Sequence, residues 1–239
     1  MDLDRPRETV TIVLVPGLLC DAFVWQPAIE RLKSRFSVAV ADVDRQDSIP
    51  AMAADALAAN PGRLLVAGHS MGARVAMEMA RQAPDRVERL ALLDTGSHPY
   101  VKGEETKRLA RVALAYEKGM AALAEDWLPG MVHAPRRRDR ALMDALADMV
   151  CRKTPEIHER QIRALLDRPD ARAYLKELRM PTLVAVGRQD QWSPLSQHEE
   201  LAALLPNATL QVIDQAGHFA PVEQPEATIA IIEHWAMAA

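Results

Sequence analysis

Aromatic residues are scarce, 4% of the chain, so a core must be built from Ala, Leu, Val, Ile and Met. Cysteine is scarcer still. Cys20 and Cys151 stand far apart and lack metal-ligand spacing, which argues against a disulfide scaffold and against a zinc site. Positive charge is not in excess: 29 Lys plus Arg face 33 Asp plus Glu, a net charge of -4, so no global basic field exists to hold a nucleic acid. No stretch approaches the ~18 uncharged apolar residues of a membrane helix, and Met1 to Glu8 lacks the apolar centre of an export signal. These absences predict a cytoplasmic protein with reduced thiols and with neither membrane nor nucleic acid as partner.

What remains is ordinary globular material, 49% hydrophobic and 26% charged over 239 residues. Such a length buries roughly 70 to 75% of the extended-chain surface and fits one domain carrying an insertion. Six short apolar runs recur: Val10 to Val15, Val38 to Val43, Leu64 to Ala67, Leu90 to Leu93, Thr182 to Val186 and Thr209 to Ile213. Each is bounded by Gly, Pro or polar residues, as strands covered on both faces should be. Helical stretches lie between them, around Trp25 to Ser34, Ile49 to Ala59, Met71 to Gln82, Pro194 to Leu205 and Pro225 to Met237. Strand alternating with helix predicts an α/β fold with a doubly wound, mainly parallel sheet of about six strands.

The alternation fails once, between Leu93 and Thr182, where helical patterns such as Glu104 to Glu117 and Arg140 to Cys151 occur without a strand. A structureless loop of that length is improbable, so a helical cap is expected after the fourth strand, over the strand ends where open α/β sheets bind ligands. The boundaries read as a core of 1–96 and 180–239 with a cap of 97–179.

Gly68-His69-Ser70-Met71-Gly72 follows the run Leu64 to Ala67 and opens a helical stretch. Strand, tight turn and helix in that order is the setting of a nucleophile elbow. A turn sharp enough to raise a serine hydroxyl above a sheet brings the flanking residues together, and glycine has no Cβ to collide. A dinucleotide-binding turn would need G-x-G-x-x-G, and the glycines are misplaced for it. A serine hydroxyl also needs a neutral imidazole as base. Of seven histidines, His218 is the best placed, in Gly217-His218-Phe219 directly after the last strand. His69 reads as a packing residue, and His98, His133, His158, His198 and His234 as solvated ones.

The elbow, the G-H-F loop and Gly187-Arg188-Gln189-Asp190-Gln191-Trp192-Ser193-Pro194 together make the chain resemble the α/β-hydrolase fold family, as a small capped serine esterase-like member. The resemblance runs from Val10 to the C-terminus, with Val10 to Val15 in the place of the family's third strand. It implies a triad of Ser70, Asp190 and His218, in the family's chain order, and no cofactor or metal. Two other acids stand near strand ends. Asp94 occupies a position used by a minority of the family, and Asp214 reads more naturally as a turn residue. The backbone N–H groups of Leu18 and Met71 would form the oxyanion hole, although Pro16 stands where the family often has histidine. Cys20 reads as a small buried thiol.

Trp25, Trp127 and Trp192, with Leu19, Met131 and Phe219, suggest an apolar substrate pocket. Arg136-Arg137-Arg138-Asp139-Arg140 reads as a solvated helix start, or else as a dock for an acidic substrate or carrier. The expected activity is hydrolysis of a carboxylic ester, lactone or thioester of a small to medium apolar substrate through an acyl-enzyme. Two alternatives share the same residues: non-hydrolytic chemistry of the hydroxynitrile lyase or cofactor-free haloperoxidase type, and slow-turnover ligand sensing.

Overall fold

The structure, a computed structural model, describes residues 10–238. The Met1 to Glu8 segment therefore lies outside the described residues. Six parallel strands form one sheet: β1 (Thr11–Val15), β2 (Ser37–Val40), β3 (Leu64–His69), β4 (Val87–Leu93), β5 (Thr182–Gly187) and β6 (Ala208–Ile213). Their order is β2-β1-β3-β4-β5-β6. The inner strands β3 and β5 are buried along their whole length, whereas the edge strands β2 and β6 carry partly exposed positions. Continuous apolar runs on the inner strands follow from burial of both faces.

Between the strands run α1 (Gln26–Leu32), α2 (Ile49–Ala59), α3 (Met71–Gln82), α4 (Glu104–Met131), α5 (Arg140–Cys151), α6 (Pro155–Leu166), α7 (Leu195–Leu204), α8 (Ala220–Glu223) and α9 (Pro225–Met237). Local chemistry sets several starts. Ser48, Asp139 and Thr154 accept hydrogen bonds from the backbone N–H groups of Ala51, Leu142 and Ile157, which caps α2, α5 and α6. α7 begins directly after Pro194 without a side-chain cap. No helix among the described residues is long and apolar enough to cross a membrane.

The sheet separates two apolar clusters. One gathers α2, α3 and α7, with Ala164 and Leu165 of α6, on one face; the other gathers α1 and α9 and continues into α4 and α5. The helices α4 to α6 are the expected insertion. α4 is longer than the sequence pattern suggests and changes direction at Gly119, whose φ of 83° and ψ of 172° lie outside the helical region.

The strand order positions the site. From β1 the chain moves outward to β2 and then returns to pair β3 on the other side of β1, so the crossovers change direction there. The loops after β1 and β3 diverge at that switch point and leave a crevice at the carboxyl ends of the strands. The loop after β1 carries Leu18 and the loop after β3 carries Ser70. β5 and β6 are neighbours, which brings the loops of Asp190 and His218 side by side.

Candidate active site

Ser70 sits at the turn from β3 into α3 with φ 55° and ψ -116°, a strained conformation for a residue with a side chain. Its surroundings hold it there. The Ser70 N–H donates to Leu93 O at 2.8 Å, and Ser70 O accepts from Ala73 N at 3.1 Å and Thr95 Oγ1 at 3.0 Å. A Cβ on Gly68 would lie 2.3 Å from Gly72 O, and one on Gly72 would lie 2.2 Å from Val15 O. Both glycines are therefore required by close backbone approach.

His218 Nε2 lies 2.7 Å from Ser70 Oγ, and His218 Nδ1 lies 2.8 Å from Asp190 Oδ2. A carboxylate only accepts, so the Nδ1–H donates to Asp190 and Nε2 is left to accept from the serine hydroxyl. Asp190 is held by its other oxygen, which accepts from Trp192 N and Ser193 N at 2.8 Å each. Burial pushes its carboxyl pKa up. The electrostatic interaction and hydrogen bond with His218, with the two backbone donors, outweigh that and hold the pKa below the ordinary value.

The His218 loop is clasped from the cap side. The His218 N–H donates to Met131 O at 2.7 Å. Glu223, 1% exposed, accepts from Gly217 N at 2.9 Å and Phe219 N at 3.2 Å with one oxygen, and from His133 N at 2.8 Å with the other. The His69 Nε2–H donates to the His218 carbonyl at 2.7 Å, so this buried ring braces the loop. Burial, with the adjacent His218, lowers the His69 pKa to about 3, and the ring is neutral.

The two alternative acids lie elsewhere. Asp94 is fully buried; its Oδ1 accepts from Gly187 N at 2.9 Å and it makes no hydrogen bond to His218. Burial and the neighbouring Asp190 charge raise its pKa well above the ordinary range, and its carboxyl bridges β4 and β5. Asp214 is exposed and pairs with Arg188.

Leu18 and Met71 line the cavity beside Ser70. Met71 is the first residue of α3, where a helix has no internal acceptor for the N–H, and the positive end of the helix dipole points at the same place. The neighbouring Leu19, in the left-handed region at φ 59°, donates its N–H to Gln161 Oε1 at 2.8 Å. Gln161, on α6, also donates to Val43 O and Asp44 Oδ1 at 3.1 Å each, so a cap residue orients the loop that carries Leu18.

Of the expected pocket residues, Trp127, Met131 and Trp192 line the cavity. Leu19, Phe219 and Trp25 do not: all three are fully buried in the core. Phe219 packs against His69, His218 and Trp127. The expectation of an apolar pocket is corrected accordingly, because much of its wall is polar: Arg74, Thr95, His98, Glu104, Arg108 and Ser193. Two histidines read as solvated are also buried. His198 accepts from Thr95 N at 2.7 Å and donates to Pro194 O at 3.1 Å, while His158 lies in the cap beneath a second small cavity. Burial lowers both pKa values to about 4. Cys20 is buried and its thiol pKa is raised, chiefly by that burial.

Sequence reasoning missed Gln161, Glu223, Arg74 and Arg108. Only Arg74 left a signal. It stands four residues after Ser70, one turn along the same face of α3.

The fold and this geometry define a class, the α/β-hydrolases with a Ser-His-Asp arrangement. The profile of the alpha/beta hydrolase family matches residues 12–231, and the chain belongs to that family. A putative carbamate hydrolase RutD from Caulobacter sp. is 28% identical, over 93% of this chain and 88% of the relative. A pimeloyl-[acyl-carrier protein] methyl ester esterase from Aromatoleum aromaticum is 31% identical over 72% of this chain and 74% of its own length. Among solved structures, a thermophilic esterase from Thermogutta terrifontis with malate bound superposes with a TM-score of 0.86 at 27% identity, covering 95% of this chain and 89% of that one.

Proposed function

We propose that the protein cleaves an ester, lactone or thioester through an acyl-enzyme on Ser70, beneath a cap formed by residues 97–179. His218 takes the hydroxyl proton as Ser70 Oγ attacks the carbonyl carbon, and Asp190 stabilises the imidazolium that forms. The negative charge that develops on the carbonyl oxygen is met by the N–H groups of Leu18 and Met71, which cost no reorganisation during the reaction. His218 then protonates the leaving group, and a water repeats the sequence to release the acid.

The observation that carries this reading is the continuous run of contacts from Asp190 through His218 to Ser70, at 2.8 and 2.7 Å. Relatives named as esterases support the ester class. Free Cys20 and Cys151 support a reducing, cytoplasmic setting. The name of the pimeloyl-[acyl-carrier protein] relative supports an acidic carrier protein docking on Arg136 to Arg140, a run that stands away from the cavity wall.

The test is a fluorophosphonate label followed by peptide mapping, together with turnover of an ester panel set against cyanohydrins and against halide plus peroxide. Labelling of Ser70 with ester turnover is expected. Labelling at another residue, or turnover confined to the non-hydrolytic substrates, overturns the reading.

A further inference from the structure

We propose that the ester cleaved at Ser70 carries a second, ionised carboxylate, and that Arg74 and Arg108 hold it in the cavity beside the nucleophile. The inference rests on the hydrolase reading above and names its substrate class.

Three guanidinium groups gather where α3, α4 and the end of α6 meet. A single carboxylate, Glu104, serves Arg168 closely and Arg108 at longer range. Arg168, with its side chain 2% exposed, pairs with Glu104 through both terminal nitrogens and also donates to the carbonyls of Leu165, His98 and Pro99. Glu104 is thus the partner of Arg168, and it lies 4.0 Å from Arg108. Arg74 has no carboxylate partner among the described residues, and its one acceptor is the His98 carbonyl at 3.0 Å. The Arg108 guanidinium lies over the Trp192 ring, 5.7 Å from its centroid, with its side chain 14% exposed.

Arg74 and Arg108 both line the cavity that contains Ser70 and His218, and among the described residues the one carboxylate on that wall is Glu104, whose close partner is Arg168. Charges held partly out of water are ordinarily paired, since removing an ion from water costs far more than a hydrogen bond returns. Three guanidinium groups against the single Glu104 carboxylate leave this wall short of negative charge, and an anionic ligand would offset part of it. The Arg74 pKa is lowered to about 9, first by burial and then by the Arg168 and Arg108 charges, which is consistent with positive charge left uncompensated.

The geometry also sets the size. Arg74 lies one helical turn beyond Ser70, about 6 Å along the axis of α3. The cavity volume is about 190 Å³, which limits the site to a small substrate. A short chain between the scissile carbonyl and the carboxylate fits, as in a half-ester of a four- to six-carbon dicarboxylic acid. The planar guanidinium fork suits a carboxylate.

The test compares kcat/KM for monomethyl succinate, glutarate and adipate with the neutral dimethyl esters of the same acids, in the wild type and in Arg74→Gln, Arg74→Lys and Arg108→Gln. The wild type should prefer a half-ester. Each glutamine variant should reduce the preference ratio about 10- to 100-fold, chiefly through KM, the range expected for losing a charged hydrogen-bond donor. Arg74→Lys should restore part of it. A wild type with no preference, or variants that slow both esters equally, overturns the proposal.

Binding of free adipate to Ser70→Ala by calorimetry separates this proposal from the reading it rests on. Binding lost in Ser70→Ala/Arg74→Gln supports the carboxylate site even if no ester is turned over, an outcome that would sink the hydrolase reading alone. Absence of binding in Ser70→Ala, with esters cleaved by the wild type, sinks the carboxylate site alone.

Discussion

At Ser70 the backbone adopts a strained conformation that Gly68, Gly72 and the Leu93 carbonyl enforce, which holds the hydroxyl against His218 Nε2. Ser70→Ala should reduce acylation by about four to six orders of magnitude while leaving the fold intact, measured as burst and steady-state ester turnover. The two buried aspartates divide the work. Asp190→Asn should lower kcat by about 10⁴-fold, because an amide leaves the imidazole in the wrong tautomer. Asp94→Asn should cost far less activity and should alter stability instead. A carboxyl whose folded pKa is raised contributes stability below its unfolded value and loses it as pH climbs towards the folded value. The melting-temperature difference between Asp94→Asn and the wild type should therefore move in the variant's favour as pH rises from about 4 to 8. Inactivity of Asp94→Asn with activity retained in Asp190→Asn would reassign the acid.

The elements do not act alone, because cap and core share hydrogen bonds at the site. Glu223, at the end of α8, gathers three backbone N–H groups and fastens the His218 loop to the chain leaving α4. Glu223→Gln turns an amide donor toward at least one of them, and an unmet buried N–H costs about 1–3 kcal/mol. A fall in Tm of several degrees, with kcat reduced more than KM is raised, is the expected result, read by calorimetry and kinetics on one ester. Gln161 does the same for the loop after β1. Gln161→Leu removes the acceptor for the Leu19 N–H and should lower kcat rather than affinity, since the Leu18 donor meets charge that exists only in the transition state. An increase confined to KM would show that Gln161 shapes the pocket instead.

On the scale of the whole molecule, charge is placed rather than accumulated. The net charge is -4, yet the cavity wall holds two arginines without carboxylate partners of their own. The surface run is different in kind. Replacing Arg137, Arg138 and Arg140 by glutamate should leave turnover of a small neutral ester almost unchanged, because exposed charges act weakly beyond a Debye length of ~8 Å at physiological salt. A large, salt-sensitive loss on the same ester would place the run in the substrate's path.

The strands, the parallel sheet and the helical insertion were legible in the chain itself, since short apolar runs between Gly and Pro specify buried strands by local periodicity. Ser70 and His218 were legible through the glycine-flanked loops that follow their strands, and Asp190 through the resemblance of its loop to the family's, with Asp94 and Asp214 left as alternatives. The site's wall was not. Leu19, Phe219 and Trp25 are as apolar as Trp127 and Met131, and only the folded layers decide which face the core and which face the cavity. His158 and His198 likewise became buried, neutral groups through packing that no local pattern announces. Arg74, Arg108, Gln161 and Glu223 owe their positions to contacts between segments distant along the chain. Local patterning thus determined the elements and the reactive loops by itself. The pocket, its charge and its bracing were decided only when the cap closed over the sheet, because burial and electrostatic pairing depend on which distant side chains share one low-dielectric space.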